Sequence, residues 1–273
     1  MSDRVKWLCA LGVLLVVGAS EVQHRVPLAA AASGARSVVV AELFTSEGCS
    51  SCPPADEILS QLVQRQPIAG VEVLALGEHV DYWDRLGWRD PFSSSLYSSR
   101  QSDYDARVFH RNEVFTPQLV IDGRLQQVGS DLDGIRRAIV HAAGAQKAAV
   151  TVSVARRTDR ELSARVGIEV PASLTLSETA DVLIAVTEDR LVSEVRRGEN
   201  HGRTLRHSAV VRSLTSIGSL PPQDRTWSTT AVVPLPADWT LPNVRVIGFL
   251  QERESRRIVG AGSAADITVS ESR

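Results

Sequence analysis

Two cysteines three positions apart, Cys49 and Cys52, are the residues of this sequence best suited to chemistry. In a C-x-x-C pair, one cysteine can exchange with a thiol or disulfide of a substrate, and the other can resolve the mixed disulfide that forms. The third cysteine, Cys9, lies in an apolar N-terminal segment. Without that segment, Cys49 and Cys52 have only each other as partners within the chain. The pair is therefore either a redox site or one very short disulfide.

The pair lies between a predicted strand and a predicted helix. Residues 37–44 include a run of β-branched residues that is typical of a strand buried in a parallel sheet. Apolar residues at helical spacing predict a helix over 53–65. The free N–H groups and the dipole at a helix start stabilise a thiolate. Because Pro53 suits the first helical position with Cys52 as the cap, the pattern leaves open which cysteine is the nucleophile.

The rest of the first half alternates strands with helices. We predict a parallel strand over 71–76, followed by a polar and aromatic insertion over 77–112 that is helical over about 94–108. Two further strands, over 114–121 and 124–128, are joined by a hairpin turn at Asp122-Gly123. A helix over 132–145 follows. After Lys147 the pattern changes to seven short alternating segments without a clear helix. They cover 150–154, 162–170, 182–186, 209–214, 226–233, 244–250 and 258–261. Such a series predicts a β-sandwich.

Five longer motifs carry a resemblance to a known family. They occupy residues 41–56, 79–84, 87–92, 115–118 and 198–205. Together they resemble a family of secreted thioredoxin-like proteins known as domain of unknown function 1223, whose reaction is not established. The resemblance implies a cis peptide bond between Thr116 and Pro117 beside the dithiol, and the alternative is a trans proline that only begins a strand. The expected fold class is thus an α/β thioredoxin-like domain over 36–147, with the insertion at 77–112, followed by an all-β sandwich-like domain over 148–273.

The N-terminus predicts export. Arg4 and Lys6 precede an apolar run over 7–19, and small residues over 29–33 offer a cleavage site. This pattern is typical of a bacterial signal peptide, so we assign 1–35 to a signal peptide and leader, with an uncleaved anchor helix as the alternative. We expect the mature protein to be periplasmic or secreted and to have no membrane segment. The formal net charge of -2 also argues against a nucleic-acid partner.

Other polar residues have two interpretations each. Glu42 is the nearest match to the buried carboxylate of thioredoxins, and it is either a proton shuttle or a structural charge paired with an arginine. His79 and Asp81 could join the two thiolates in binding copper(I), or they could simply pack within the insertion. Further candidates in the insertion are Asp84, Asp90 and His110. Asn200, His201, Arg203 and His207 form either a polar site or an ordinary loop, and the loop is the simpler interpretation.

The sequence therefore predicts an exported thiol-disulfide oxidoreductase. Exposed cysteines beside Thr116-Pro117 would act on thiols or disulfides of partner proteins. The alternative is a binding protein, with copper at the dithiol or with a static disulfide. The proline pair at 53–54 and the aromatic insertion favour this second hypothesis.

Overall fold

The computed structural model of the chain describes residues 36–264 and 266–269. The predicted signal peptide and leader over 1–35 lie outside the described residues. Within the described part of the chain, no helix has both the length and the apolar character needed to cross a membrane.

The described residues form three α-helices and fourteen strands. The helices are α1 (Pro53–Arg65), α2 (Ser95–Tyr104) and α3 (Leu132–Ala143). The strands of the first half are β1 (Ser37–Thr45), β2 (Val71–His79), β3 (Gln118–Ile121) and β4 (Leu125–Val128). Those of the second half are β5 (Ala148–Thr158), β6 (Glu161–Glu169), β7 (Ala180–Glu188), β8 (Leu191–Glu194), β9 (Thr204–His207), β10 (Val210–Leu220), β11 (Thr226–Pro234), β12 (Val244–Glu252), β13 (Ile258–Ala264) and β14 (Ile267–Val269).

Most individual elements agree with the sequence predictions. Strands β1 and β2 are parallel in a register that pairs Ser37 with Val71, and α1 is the crossover between them. Asp122 and Gly123 form the turn of the antiparallel β3–β4 hairpin. The segment after α2 continues as a π-helical turn over Asp105–Phe109, so the insertion is helical as predicted. All seven strands predicted after residue 147 are present.

The predicted fold class is nevertheless wrong. An α/β thioredoxin-like domain followed by a separate β-sandwich would give independent sheets, whereas strands from both halves build one mixed, twelve-stranded sheet. Its strand order is β11-β6-β5-β13-β12-β7-β10-β2-β1-β3-β4, with β14 added beside β5. Strands β8 and β9 form a small separate hairpin sheet. The division of the chain at residue 147 stays a sequence prediction.

The two halves share one sheet because one edge of β2 is open to pairing with a strand of the second half. A strand edge presents unpaired N–H and C=O groups that another strand can satisfy. Here β10 takes that position: Val210 pairs with Gly77, and the Gly77 N–H donates to the Ala209 carbonyl at 2.7 Å. Strand β10 is antiparallel to β7, which continues the sheet into the second half. Alternation along a sequence identifies a strand but not its neighbour, so this junction was not predictable from periodicity.

Helices cover the two faces of the β1–β2–β3 region. Helices α1 and α3 pack on the face that carries Val39, Ala41 and Leu43. Aromatic residues of α2, with residues of β12 and β13, pack on the opposite face against Val40 and Phe44. The carboxyl ends of β1 and β2 thus lie beside the start of α1, and the cysteines follow directly after β1.

Candidate functional site

Cys49 and Cys52 form a disulfide between β1 and α1. Cys52 is the N-cap residue of α1, and Pro53 occupies the first helical turn, as one of the two predicted arrangements has it. The backbone N–H groups of Ala55 and Asp56 donate to the Cys52 carbonyl at 2.8 and 3.1 Å. Both cysteines are 0% exposed, so the expectation of exposed cysteines is wrong for this closed state.

A loop from the second half is bonded to the turn that carries the disulfide. Residues 195–203, here called the cap loop, connect β8 to β9. The side-chain amide of Asn200 donates to the carbonyl oxygens of Glu47 and Cys49 at 2.8 and 2.9 Å. The carboxylate of Glu199 accepts a hydrogen bond from the Ser50 N–H at 2.9 Å. These three hydrogen bonds hold the cap loop on the turn that carries Cys49.

A second loop, residues 83–91 and here called the tryptophan loop, lies on the same turn. The Trp88 indole N–H donates to Glu47 Oε2 at 2.7 Å. The Trp83 indole N–H donates to Thr116 Oγ1 at 2.8 Å. The Thr116–Pro117 peptide bond is cis, as the family resemblance implied. The tryptophan loop therefore links the turn before Cys49 to the cis-proline segment.

Buried ionisable side chains flank the two cysteines: Glu47 comes two residues before Cys49, and Asp56 four residues after Cys52. Thr45 Oγ1 donates to Asp56 Oδ1 at 2.8 Å. His207 Nε2 lies 3.0 Å from Glu47 Oε1, and its Nδ1 lies 4.0 Å from Asp56 Oδ2. A second pair joins His79 Nδ1 to Asp90 Oδ2 at 2.7 Å.

The two histidines connect these pairs into one group. The ring centroids of His79 and His207 are 4.9 Å apart, with the rings edge to face. We call the five buried side chains the ionisable cluster: Glu47, Asp56, His79, Asp90 and His207.

The environment shifts several of the pKa values in this cluster. Burial raises the pKa of Asp56 above its ordinary value, although His207 and His79 oppose the change. Burial alone would lower the pKa of His79, but the Asp90 carboxylate beside it brings a net increase. The pKa of Asp90 is lowered despite burial, because His79 and two backbone N–H groups stabilise the carboxylate. Perturbed ionisable groups of this kind concentrate at functional sites.

Glu42 lies away from this cluster, on the face of the sheet that α2 covers. Its carboxylate is 2.6 Å from the Arg100 guanidinium and accepts a hydrogen bond from the Tyr104 hydroxyl. Glu78 lies 3.5 Å from the same arginine, and burial followed by the charge of Glu42 raises its pKa well above the ordinary value. Of the two interpretations of Glu42, the structure thus contains the ion pair with an arginine. The buried carboxylate one helical turn after Cys52 is Asp56 instead.

The metal candidates are dispersed. His79 is bonded to Asp90, whereas Asp81 accepts a hydrogen bond from Ser98 Oγ at 2.5 Å, toward α2. Asp84 accepts from Ser93 Oγ, and His110 is exposed at the end of the π-helical turn. Over residues 36–264 and 266–269, no three His, Cys, Asp or Glu side chains are grouped to hold a metal ion.

Sequence reasoning missed several residues of this site. Glu47 and Asp56 were not singled out, although Asp56 shares the apolar face of α1 with Leu59, which is an unusual place for a carboxylate. Asn200 and His207 were given two interpretations, a polar site or an ordinary loop, and the loop was preferred. Both side chains are buried, and they are bonded to Cys49 and Glu47 of the cysteine turn. Asn200 lies within the motif at 198–205 that belongs to the family resemblance, and His207 follows it by two residues, so this motif was the available signal.

Fold and site together define a mixed-sheet protein with a capped C-x-x-C disulfide. The chain belongs to the family described as Protein of unknown function (DUF1223), whose model matches residues 40–251. The crystal structure of a protein from Agrobacterium tumefaciens is similar, with 29% identity, a TM-score of 0.60 and coverage of 86% of this chain and 97% of that one. HBP35 of Porphyromonas gingivalis shares the fold at 16% identity, with a TM-score of 0.68 and coverage of 87% and 78%. No curated protein matches the sequence.

Proposed function

We propose that this protein is an exported thiol-disulfide oxidoreductase whose Cys49–Cys52 pair exchanges with thiols or disulfides of partner proteins. The observation that carries the proposal is the ionisable cluster that flanks the two cysteines. A disulfide that only crosslinks the chain needs no charged groups near it, and burying such groups costs several kcal/mol per ion. Thiol-disulfide exchange gives such groups a role, because each leaving cysteine takes up a proton or stays as a thiolate.

Each side chain has a place in this chemistry. A partner thiolate attacks one sulfur, so the Cys49–Cys52 bond breaks and a mixed disulfide forms. The released cysteine leaves as a thiolate, and the helix start at Cys52 favours that charge. We assign the proton to Asp56, which lies one helical turn after Cys52, and to His79 in the same cluster, because burial raises the pKa of Asp56 and the Asp90 carboxylate raises that of His79. A second partner thiol then resolves the mixed disulfide, which leaves a reduced protein and an oxidised partner.

Access to the sulfurs requires a local opening, and we assign this opening to the cap loop. Both cysteines are fully buried, while Ser50 and Ser51 between them are exposed. The three side-chain hydrogen bonds from Asn200 and Glu199 are each worth about 1 kcal/mol, so opening is a moderate step. The proposed reaction therefore takes place in an open state of the cap loop.

The test is the reduction potential of the Cys49–Cys52 couple, measured by equilibration in glutathione buffers with and without copper(I). We expect a reversible couple at or above roughly -270 mV. Cys49→Ser and Cys52→Ser variants then identify the nucleophile, because only the variant that retains it traps a mixed disulfide. A potential below roughly -300 mV without any effect of copper(I) would mark a structural bond and overturn the proposal. A stoichiometric effect of copper(I) on the dithiol would instead favour the binding protein.

A further inference from the structure

The surface around the disulfide is built by the cap loop and the tryptophan loop together. A Cβ placed on Gly198 would lie 3.1 Å from the Trp88 Cβ, so the two loops are in direct contact. A Cβ placed on Gly48 would lie 3.1 Å from the Trp83 Cβ, which brings the tryptophan loop against the residue before Cys49. The two loops therefore form a continuous surface beside the turn that carries Cys49.

The two loops carry a concentration of positive charge. Five exposed arginines lie on them: Arg85, Arg89, Arg196, Arg197 and Arg203. In the described part of the chain, none of the five forms an ion pair with a carboxylate. Within the two loops, all of whose residues are described, Glu199 is the one exposed carboxylate, and it is bonded to the Ser50 N–H.

This charge is a local feature, because the chain as a whole has a formal net charge of -2. Elsewhere arginines commonly face carboxylates: Arg156 is paired with Asp159, and Arg253 with Asp181. Unpaired arginines around a site attract anionic partners and raise their rate of encounter. An apolar side chain, Leu86, is 54% exposed between Arg85 and Arg89 and offers a contact that charge does not provide.

We propose that the cap loop and the tryptophan loop form a docking surface for an acidic, cysteine-containing segment of a partner protein. The inference rests on the proposed function and names its substrate class. Carboxylates of the segment face the five arginines, an apolar residue contacts Leu86, and the cysteine reaches the disulfide once the cap loop moves. An anionic lipid surface has no thiol to exchange with the disulfide. A protein segment with a cysteine does, and we therefore choose it as the partner.

The experiment uses two peptides of equal length with a central cysteine and one leucine, flanked in one case by Asp and Glu and in the other by Lys. Mixed-disulfide formation with the purified protein is followed by mass spectrometry. Serine versions of both peptides report binding by fluorescence anisotropy. We expect the acidic peptide to react and bind about tenfold better at low ionic strength, and this advantage should fall as salt is added.

Charge reversal at one pair of arginines tests the assignment. Arg196→Glu/Arg197→Glu should remove most of the preference for the acidic peptide. The matched control Arg136→Glu/Arg137→Glu makes the same charge change at exposed positions of α3 and should preserve it. Dithiothreitol carries no charge, so the rate of each peptide is divided by the rate with dithiothreitol for the same variant. This ratio separates docking of the acidic peptide from any change in the opening of the cap loop.

The outcomes distinguish the two proposals. Equal reaction and binding of both peptides would overturn the docking surface while leaving the oxidoreductase intact. Binding of the acidic serine peptide without exchange by either cysteine peptide would overturn the oxidoreductase and keep the surface. Binding to vesicles of anionic phospholipid but not to the acidic peptide would overturn the proposal in favour of a membrane surface.

Discussion

The side-chain amide of Asn200 donates a hydrogen bond of 2.9 Å to the carbonyl oxygen of Cys49, across 151 positions of the sequence. The same amide group donates to the Glu47 carbonyl, and Asn200 itself is almost fully buried. One side chain thus fixes the cap loop to both sides of the turn that ends at Cys49. This contact makes the accessibility of the disulfide depend on the second half of the chain.

Asn200→Ala should therefore speed up reduction of the disulfide. Loss of two hydrogen bonds, at about 1 kcal/mol each, shifts the cap loop toward its open state by roughly an order of magnitude or more. We expect a similar increase in the rate of reduction by dithiothreitol under conditions where the protein stays folded. Asn243→Ala, at a partly buried asparagine outside the site, serves as the control and should react at the wild-type rate. An unchanged rate in Asn200→Ala would mean that the cap loop does not control access.

The His79–Asp90 pair should make stability depend on pH. The pKa of His79 is raised above 6.5, so its protonated form stabilises the folded state fully below pH 6.5, and this contribution is lost as pH rises through the raised value. The pKa of Asp90 is lowered below 3.8, so its contribution is present above pH 3.8 and is lost as pH falls through the lowered value.

Asp90→Asn should therefore reduce the free energy of unfolding most between pH 3.8 and pH 6.5, and progressively less at higher pH. Urea denaturation of the variant and the wild type across this range measures the difference in free energy of unfolding. The pair is also surrounded by Glu47, Asp56 and His207. Asp224→Asn makes the same substitution at an exposed position and measures the change in free energy of unfolding expected outside the cluster. A difference in free energy that does not vary with pH would contradict a charged pair.

Arg100 should be essential for stability. It lies buried between Glu42 and Glu78, with ion-pair distances of 2.6 and 3.5 Å. Arg100→Met leaves these carboxylates without a countercharge, and loss of one partner from a buried ion pair costs about 3–5 kcal/mol. Arg107→Met removes an arginine from exposed ion pairs seven residues further on and should change the unfolding midpoint little. Equal effects in thermal unfolding would show that the buried arginine carries no special share of stability.

Gly123→Ala should disturb the contact between the β3–β4 turn and the second half. Gly123 has φ +68, and an added Cβ would lie 1.9 Å from the Arg256 carbonyl oxygen. Gly70→Ala is the matched control, because Gly70 has φ +75 with no atom within 4 Å of the added Cβ. Both variants incur the cost of about 1 kcal/mol for a left-handed alanine, and only Gly123→Ala adds the clash. Equal losses in urea denaturation would show that the turn can move away from Arg256 freely.

The sequence was sufficient for the elements and insufficient for their assembly. The β-branched run of β1 and the helical spacing of α1 are local signals, and both elements appear at the predicted places. The pairing of Val210 with Gly77 joins residues far apart in the chain and depends on which edge is free, which periodicity does not encode.

The same limit applies to the site. The short C-x-x-C motif was enough to identify Cys49 and Cys52. The cis bond before Pro117 followed from the family resemblance. Their burial did not follow, because Asn200 and His207 reach the cysteine turn only through the shared sheet and the β8–β9 hairpin. A polar loop on the surface and a polar loop that is bonded to the turn of a disulfide have the same composition.

The position of the cap loop late in the sequence also affects when the two cysteines can be oxidised during synthesis. If the protein is exported from its N-terminus, as proposed, Cys49 enters the new compartment 151 residues before Asn200. An oxidant can react with both thiols of the emerging chain before the cap loop has been synthesised. In the folded protein, an oxidant or reductant reacts only after the cap loop has opened. The nascent and the mature protein are thus two different substrates for the same redox environment, and the first oxidation need not follow the route of any later one.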